Sequence, residues 1–197
     1  MRRLTLPAAI PAALALAAAL AIGYGAGAAA GGEESKKEGS PAIGPGPEVE
    51  RLKQFEGTWD AKITVPQPGA PAIESKGVQT ARLGCGGRWL ITDYKGEFMD
   101  MPFEGHGIEG YDAEKKKYVQ VWVDPMSASI DVMEGTYDEA TKTFAFKGKG
   151  KNPETGQTME YTMKTVIESR DRNVFTMEMA APDGKTEAFK IEYTRRK

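Results

Sequence analysis

The sequence predicts a single antiparallel β-barrel, and three observations carry that expectation. From Gly57 to the C-terminus apolar residues alternate with polar ones, turn-forming clusters break the alternation at short intervals, and no helical stretch follows that would cover an open sheet. A sheet without a covering layer leaves two unpaired edges, and closing it on itself removes both. The expected architecture is an all-β, up-and-down meander of about ten strands with a short helix in front of it.

The helix is predicted over 48–55, where Val49, Leu52 and Phe55 recur at threes and form one apolar face able to lid a barrel end. Strands are predicted at 57–65, 74–83, 87–95, 103–111, 116–124, 127–136, 142–149, 158–169, 173–180 and 186–196. The turns between them fall at 66–71, 84–87, 112–115, 138–141, 152–156, 171–173 and 182–185, each containing Gly, Pro, Asp or Asn.

Alternation also assigns faces, because side chains two apart point the same way. In the first strand Trp59, Ala61, Ile63 and Val65 oppose Asp60, Lys62 and Thr64 and are expected to face inward. The last strand places Phe189, Ile191, Tyr193 and Arg195 inward by the same rule. Phe144 and Phe146, then Tyr161, Met163 and Ile167, then Phe175, Met177 and Met179 extend that wall, and Ile91 and Ile108 are assigned to it as well. Strand 116–124 is apolar on both sides, with Val119, Val121 and Val123 opposing Tyr118 and Trp122, and parity does not orient it.

Ahead of the barrel the chain changes character twice. Met1-Arg2-Arg3, the Leu/Ala-rich run 4–22 and the small residues 23–32 have the order of an export signal, with cleavage expected near Ala30. An uncleaved anchor is the alternative, since the apolar run approaches the roughly 20 residues that span a bilayer; Pro7, Pro11 and the prevalence of Ala favour cleavage. Arg2-Arg3 lacks the rest of a twin-arginine signal, and no cysteine follows the run as a lipid-anchoring site. Residues 31–47 are Gly, Pro, Ser and charge with one isolated Ile, a composition that buries too little to offset ordering entropy and is expected to be a disordered spacer. The domains expected are therefore a signal peptide at 1–30, a linker at 31–47 and a barrel at 48–197, in a periplasmic, cell-envelope or secreted protein.

The 197-residue chain has 26 basic and 28 acidic residues, a net charge of −2. Loss of the signal removes Arg2 and Arg3 and no acid, so the mature surface is more acidic still. Nucleic acid is excluded as a partner, because phosphate binding needs a clustered basic face. The barrel length, about 150 residues, suffices for a core without staples, and Cys85, the single cysteine, allows no intramolecular disulfide. Cys85 is expected to be a small buried apolar residue rather than a reactive thiol, since activation needs a base or cation beside it and the candidate, Arg88, is three residues away.

Gly57-x-Trp59 on the first strand and Arg195 on the inward face of the last resemble the lipocalin and calycin signature, in which a Trp closes one barrel end and a cationic side chain stacks across it. A longer ordered set is more specific: Leu83-Gly84-Cys85-Gly86-Gly87-Arg88-Trp89-Leu90, Phe103-x-Gly105-x-Gly107, Gly110-Tyr111-Asp112, Tyr118-x-x-x-Trp122-x-Asp124, Glu134-Gly135-x-Tyr137-Asp138, Asp183-Gly184-Lys185 and Tyr193-Thr194-Arg195-Arg196-Lys197. This set resembles the bacterial domain-of-unknown-function family numbered 1579 over essentially all of 48–197. The resemblance implies a lipocalin-like barrel and no established activity. His106 is not part of the pattern, so the resemblance implies no histidine mechanism. Read from the residues alone, Gly105, Gly107 and Gly110 suit strand kinks or close backbone approach, and the two Tyr-Asp pairs end strands at turns.

No catalytic constellation stands out. His106, the sole histidine, lies two residues from Ile108 and is expected on the inner wall, where it could ligate haem or act with Asp93 or Asp131 in a hydrolytic site. A hydrogen-bonded structural histidine is the bland alternative, and zinc would need carboxylate partners for a lone imidazole. Met99, Met101, Met177 and Met179 suggest copper less than they suggest a flexible pocket lining. Asp124, before Pro125, is expected to serve a turn; a nucleophile elbow, a phosphate loop and a dinucleotide fingerprint are all missing from the sequence.

The function expected is binding of a small apolar or amphipathic molecule, with His106, Ile108, Tyr161, Met163, Phe175, Met177 and Phe189 as lumen residues, and no cofactor or metal. A filled barrel acting as a structural or interaction module is the alternative. Partner binding would show as an apolar patch on the outside, expected around Tyr118 and Trp122.

Overall fold

The computed structural model describes residues 46–126, 130–151, 158–181 and 184–197. The expected signal peptide and all but the last residues of the expected spacer lie outside them. Helix α1 spans Pro47–Leu52, with Gly46 as N-cap and Pro47 in the first turn, where its missing N–H leaves no bond unmade. A 3₁₀ turn, Lys53–Phe55, carries the chain into the sheet. Ten strands follow: β1 Gly57–Gln67, β2 Ala70–Gly84, β3 Trp89–Phe98, β4 Met101–Asp112, β5 Lys117–Val123, β6 Asp131–Asp138, β7 Thr143–Lys151, β8 Thr158–Ser169, β9 Arg172–Ala181 and β10 Gly184–Arg195.

Every strand pairs antiparallel with its neighbours in sequence, and β1 pairs with β10 to close the barrel. At the seam Trp59 lies opposite Arg195, Ala61 opposite Tyr193 and Ile63 opposite Ile191. The first hairpin is tighter than the sequence suggests. Pro66 is inside β1, at the register shift between Val65 and Gln67, a position where a proline's lost N–H is tolerated. The reversal is left to Pro68 and Gly69, the latter at φ 71°.

Turn chemistry follows the side chains. Asp112 Oδ1 accepts from the backbone N–H of Glu114 and of Lys115, both at 3.0 Å, and Asp138 Oδ1 accepts from Thr141 N–H at 2.8 Å. Those bonds favour the ionised form and hold the Asp138 pKa below its ordinary value. Asp124 serves its turn as expected, accepting from Trp122 Nε1 and from Met126 N–H at 2.8 Å each. Between β2 and β3 the backbone is left-handed at Cys85, Gly86 and Gly87. Cys85 is therefore displayed on the tip of a tight turn and is exposed, not buried as expected.

Inside, two clusters meet. One gathers Leu52, Phe55, Leu90, Tyr118, Met133, Phe144, Phe146, Tyr161, Met163 and Ile167; the other gathers Trp59, Ala61, Ile63, Val65, Tyr94 and Tyr193. The helix and the 3₁₀ turn seal the barrel end at which β1 begins and β10 finishes. Phe55 packs edge-on against Phe144 with centroids 5.6 Å apart, the Tyr118 hydroxyl donates to Glu48 O at 3.1 Å, and Trp59 Nε1 donates to Phe55 O at 2.8 Å. The Arg195 guanidinium carbon is 4.0 Å from the Trp59 ring centroid. Its N–H groups donate to Gln54 O at 2.7 Å, to Arg170 O at 3.1 Å and to Glu56 O. One cation thus stacks on Trp59 and binds three backbone carbonyls in two segments, the 3₁₀ turn with its exit and the β8–β9 turn, a geometry suited to a guanidinium fork.

Candidate functional site

The inner wall can be followed by register around the whole barrel. Ala61 faces Gly77 on β2, Gly77 faces Gly96 on β3, and Gly96 faces Phe103 on β4. On β4 the inward set is therefore Phe103, Gly105, Gly107, Glu109 and Tyr111. On β5 it is Tyr118, Gln120 and Trp122, opposite Tyr111, Glu109 and Gly107 respectively. Gly105 and Gly107 are small because the Trp122 ring lies flat on the β4 backbone: a Cβ at Gly105 would come within 2.2 Å of Trp122 Cζ2, and one at Gly107 within 3.0 Å of Cε3. The doubly apolar strand β5 is thereby oriented with its even positions inward.

This register overturns part of the expected wall. His106 and Ile108 point outward, as does Ile91 opposite Ile108. Ile108 is 49% exposed. The misassignment has a physical cause: the central inward positions of β4 are Gly105, Gly107 and Glu109, so the apolar signal in the middle of the strand falls on the outer face. His106 Nδ1 is 2.7 Å from Asp93 Oδ1, but the two side chains are 60% and 49% exposed on the convex surface. The distance needed for acid–base work is met without the enclosure that would hold a substrate or a haem. Asp131 lies opposite Trp122, away from this pair in register. Tyr118 and Trp122, expected on an outer patch, belong to the interior.

The remaining expected residues do converge. Tyr161 faces Met179, and Met163 faces Met177. Phe189 faces Met177, and Ile191 faces Phe175. Met163 also faces Phe146 across β7 and β8. Phe175 and Phe189 stack with centroids 5.7 Å apart, and Phe98 meets Phe189 at 5.6 Å. Tyr161 and Met163 are buried, whereas Phe175, Met177, Met179, Phe189 and Ile191 point inward yet retain accessible surface, as do Glu109, Gln120 and Trp122. In a barrel filled by its own side chains such positions would be sealed. These inward residues are therefore only partly covered by their neighbours.

Glu109 is the residue that reading the sequence missed. It lies deep among the strands, between Leu90 on β3 and Gln120 on β5. Its Oε1 is shielded from solvent and has no hydrogen-bond partner among the described residues. Burial pushes its carboxyl up to about 8, so the acid is largely protonated at neutral pH. The sign that could have revealed it is Gly105-x-Gly107-x-Glu109: two glycines in step with a glutamate put an acid on the face that accepts a ring. Burial also raises Tyr94, up to about 12, and raises Tyr193; both hydroxyls stay protonated. No group of three or more His, Cys, Asp or Glu able to hold a metal occurs among the described residues. No helix among them is long and apolar enough to cross a membrane.

Among solved structures the barrel is similar to Rv2717c from M. tuberculosis, at a TM-score of 0.55 and 13% identity over 78% of this chain and 99% of that one. It is equally similar to the S-type phycobiliprotein lyase CPES from Guillardia theta, at a TM-score of 0.55 and 13% identity over 76% and 93% of the two chains. At such identity the likeness is one of fold alone. No curated protein sequence matches the chain. The ordered glycine, tyrosine and aspartate motifs agree with a match of residues 44–195 to the model described as "Protein of unknown function (DUF1579)", and the chain belongs to that family.

Proposed function

We propose that the protein is exported and binds a small apolar or amphipathic molecule in the barrel lumen. The observation that carries this reading is the partial accessibility of Phe175, Met177, Met179, Phe189 and Ile191, apolar side chains that point inward. Small barrels either fill their interiors or hold one guest, and a wall of Met and Phe left accessible favours the second state. A phycobiliprotein lyase shares the fold, which is compatible with a ligand in such a barrel and names none for this one. No cofactor is assigned: His106, the one candidate haem ligand, stands on the outer wall.

The test is native mass spectrometry and an absorption spectrum on protein recovered from the envelope fraction. A retained small-molecule mass that disappears in Met177→Arg supports lumen binding. A clean apo mass, together with no uptake of an apolar fluorophore, removes it. A Soret band would overturn the absence of a cofactor, and recovery of the chain in the cytoplasm with residues 1–30 intact would overturn export.

An interaction module remains the second reading, on a separate observation. Ile91, Ile108, Val121 and Val132 lie side by side in one register row across β3, β4, β5 and β6, on the outside. Ile108 is 49% exposed and Val132 59%. A second copy of the chain is the simplest cover for such a row. Light scattering decides it: a dimer that Val132→Lys dissociates supports this reading, and a monomer at all concentrations ends it.

A further inference from the structure

The lumen holds one feature that an apolar guest alone does not explain, an unpartnered carboxyl near its sealed end. We propose that Glu109 is the lumen's polar anchor, and that the ligand is a linear amphiphile whose protonated amine pairs with it while the apolar body lies along the Met and Phe wall. This inference rests on the lumen-binding reading and adds the chemistry of the head group.

Three observations support it. Glu109 Oε1 is buried and accepts no hydrogen bond from the described residues, whereas buried polar atoms are normally paired. The residue as a whole retains accessible surface, and because it points inward that surface borders the lumen. Gln120 stands directly opposite it and Trp122 one inward step further along β5, so a hydrogen-bonding amide and an indole ring flank the approach. An ammonium is attracted both to a carboxylate and to an aromatic ring.

Among the described residues, the groups around Glu109 supply no cation that is not already engaged. Inward-facing neighbours are Leu90, Thr92 and Tyr94 on β3, Tyr118 and Gln120 on β5, and Tyr111 on β4 itself. From α1, Arg51 is engaged with the Tyr118 hydroxyl and with Glu139, while Glu48 lies nearer Tyr118 and adds negative charge. The counter-ion is therefore left for a guest to bring.

Protons balance simply. The empty site holds Glu109 as the neutral acid; on binding an ammonium it becomes a carboxylate, and one proton leaves to solvent. Affinity for an amine consequently rises with pH, by up to about tenfold per unit, until the empty acid ionises near 8. A fatty acid would behave in the opposite sense, since it would place a second carboxyl beside the first.

The experiment is calorimetric titration of the wild type and Glu109→Gln with dodecylamine, dodecanol and dodecanoate at pH 6, 7 and 8. The wild type is expected to prefer dodecylamine to dodecanol by about tenfold or more, and to release about one proton per amine bound at pH 6, read from buffers of different ionisation enthalpy. In Glu109→Gln that preference should vanish while dodecanol still binds. Equal affinity for all three probes, or the same amine preference in Glu109→Gln, overturns the anchor and leaves the lumen reading standing. Failure of every probe to bind overturns both. Should Glu109→Gln not fold, proton release on the wild type decides alone: absence of release refutes the ion pair.

Discussion

The two ends of the barrel are built on different terms. At the sealed end the three largest fully buried side chains among the described residues, Trp59, Phe144 and Leu52, lock the helical plug to the strand ends. Toward the other end Phe98, Phe103, Met179 and Phe189 also point inward, yet each keeps accessible surface. Residues of the same chemical class thus do two jobs. Where they are sealed they hold the fold, and where they are left accessible they are the residues on which the proposed lumen binding rests.

This contrast can be broken most directly by truncation. Phe144→Ala removes a sealed ring and is expected to cost roughly 3–5 kcal/mol, while Met177→Ala, at an accessible site, should cost about 1–2 kcal/mol, both read from denaturant midpoints. Equal losses would mean the lumen is packed solid and would remove the binding reading. Arg195→Ala takes away the stack on Trp59 and three bonds to backbone carbonyls, for an expected loss of about 2 kcal/mol; Arg195→Lys should recover only a minor part.

Glu109 sharpens the contrast through pH. An acid whose folded pKa, about 8, lies above the ordinary value of 4.5 holds its proton more tightly when folded. Its contribution to stability is thus fully present below pH 4.5 and is lost as pH rises through 8. Glu109→Gln should flatten that decline, gaining on the wild type by roughly 2 kcal/mol between pH 5 and pH 8, less than the full shift implies because the residue borders accessible space. Thermal melts of both proteins across that range measure it; parallel curves would show that Glu109 ionises freely. The smallest effect is expected on the outer wall, where Val132→Lys should alter monomer stability by no more than about 0.5 kcal/mol.

How much of this was legible in the sequence depended on which residues carried the period. In β1, β8, β9 and β10 the inward set is mostly apolar, with Thr165, Asn173 and Arg195 as exceptions, so parity placed Trp59, Met163, Met177 and Phe189 without error. The closing pair Trp59 and Arg195 came from the resemblance to the lipocalin signature, with parity choosing Arg195 over Arg196. In β4 the inward set includes Gly105, Gly107 and Glu109, and its hydrophobic signal sat on the wrong face at Ile108. Nothing local corrects such a strand; what orients it is the Trp122 ring, a long-range contact from β5. Cys85 was misplaced for a related reason, since its burial was inferred from residue type while the three left-handed positions at 85–87 put it on a turn. Glu109 was invisible because an acid inside a barrel departs from the alternation on which the whole reading relied. Departures of that kind tend to fall where a structure sacrifices packing for another purpose.

The seam between β1 and β10 joins residue 59 to residue 195, the two ends of the barrel sequence. Until the last strand is made, β1 and β9 are both open edges, each a template for pairing with another chain. The longest loop in the topology is therefore also the last to close, which makes ring closure a late step and favours slow folding. For a nascent chain, the twelve residues of β10 act as a completion signal. A product truncated by a single strand would lose its clasp on Trp59 and carry two exposed edges, an aggregation hazard rather than a smaller working barrel.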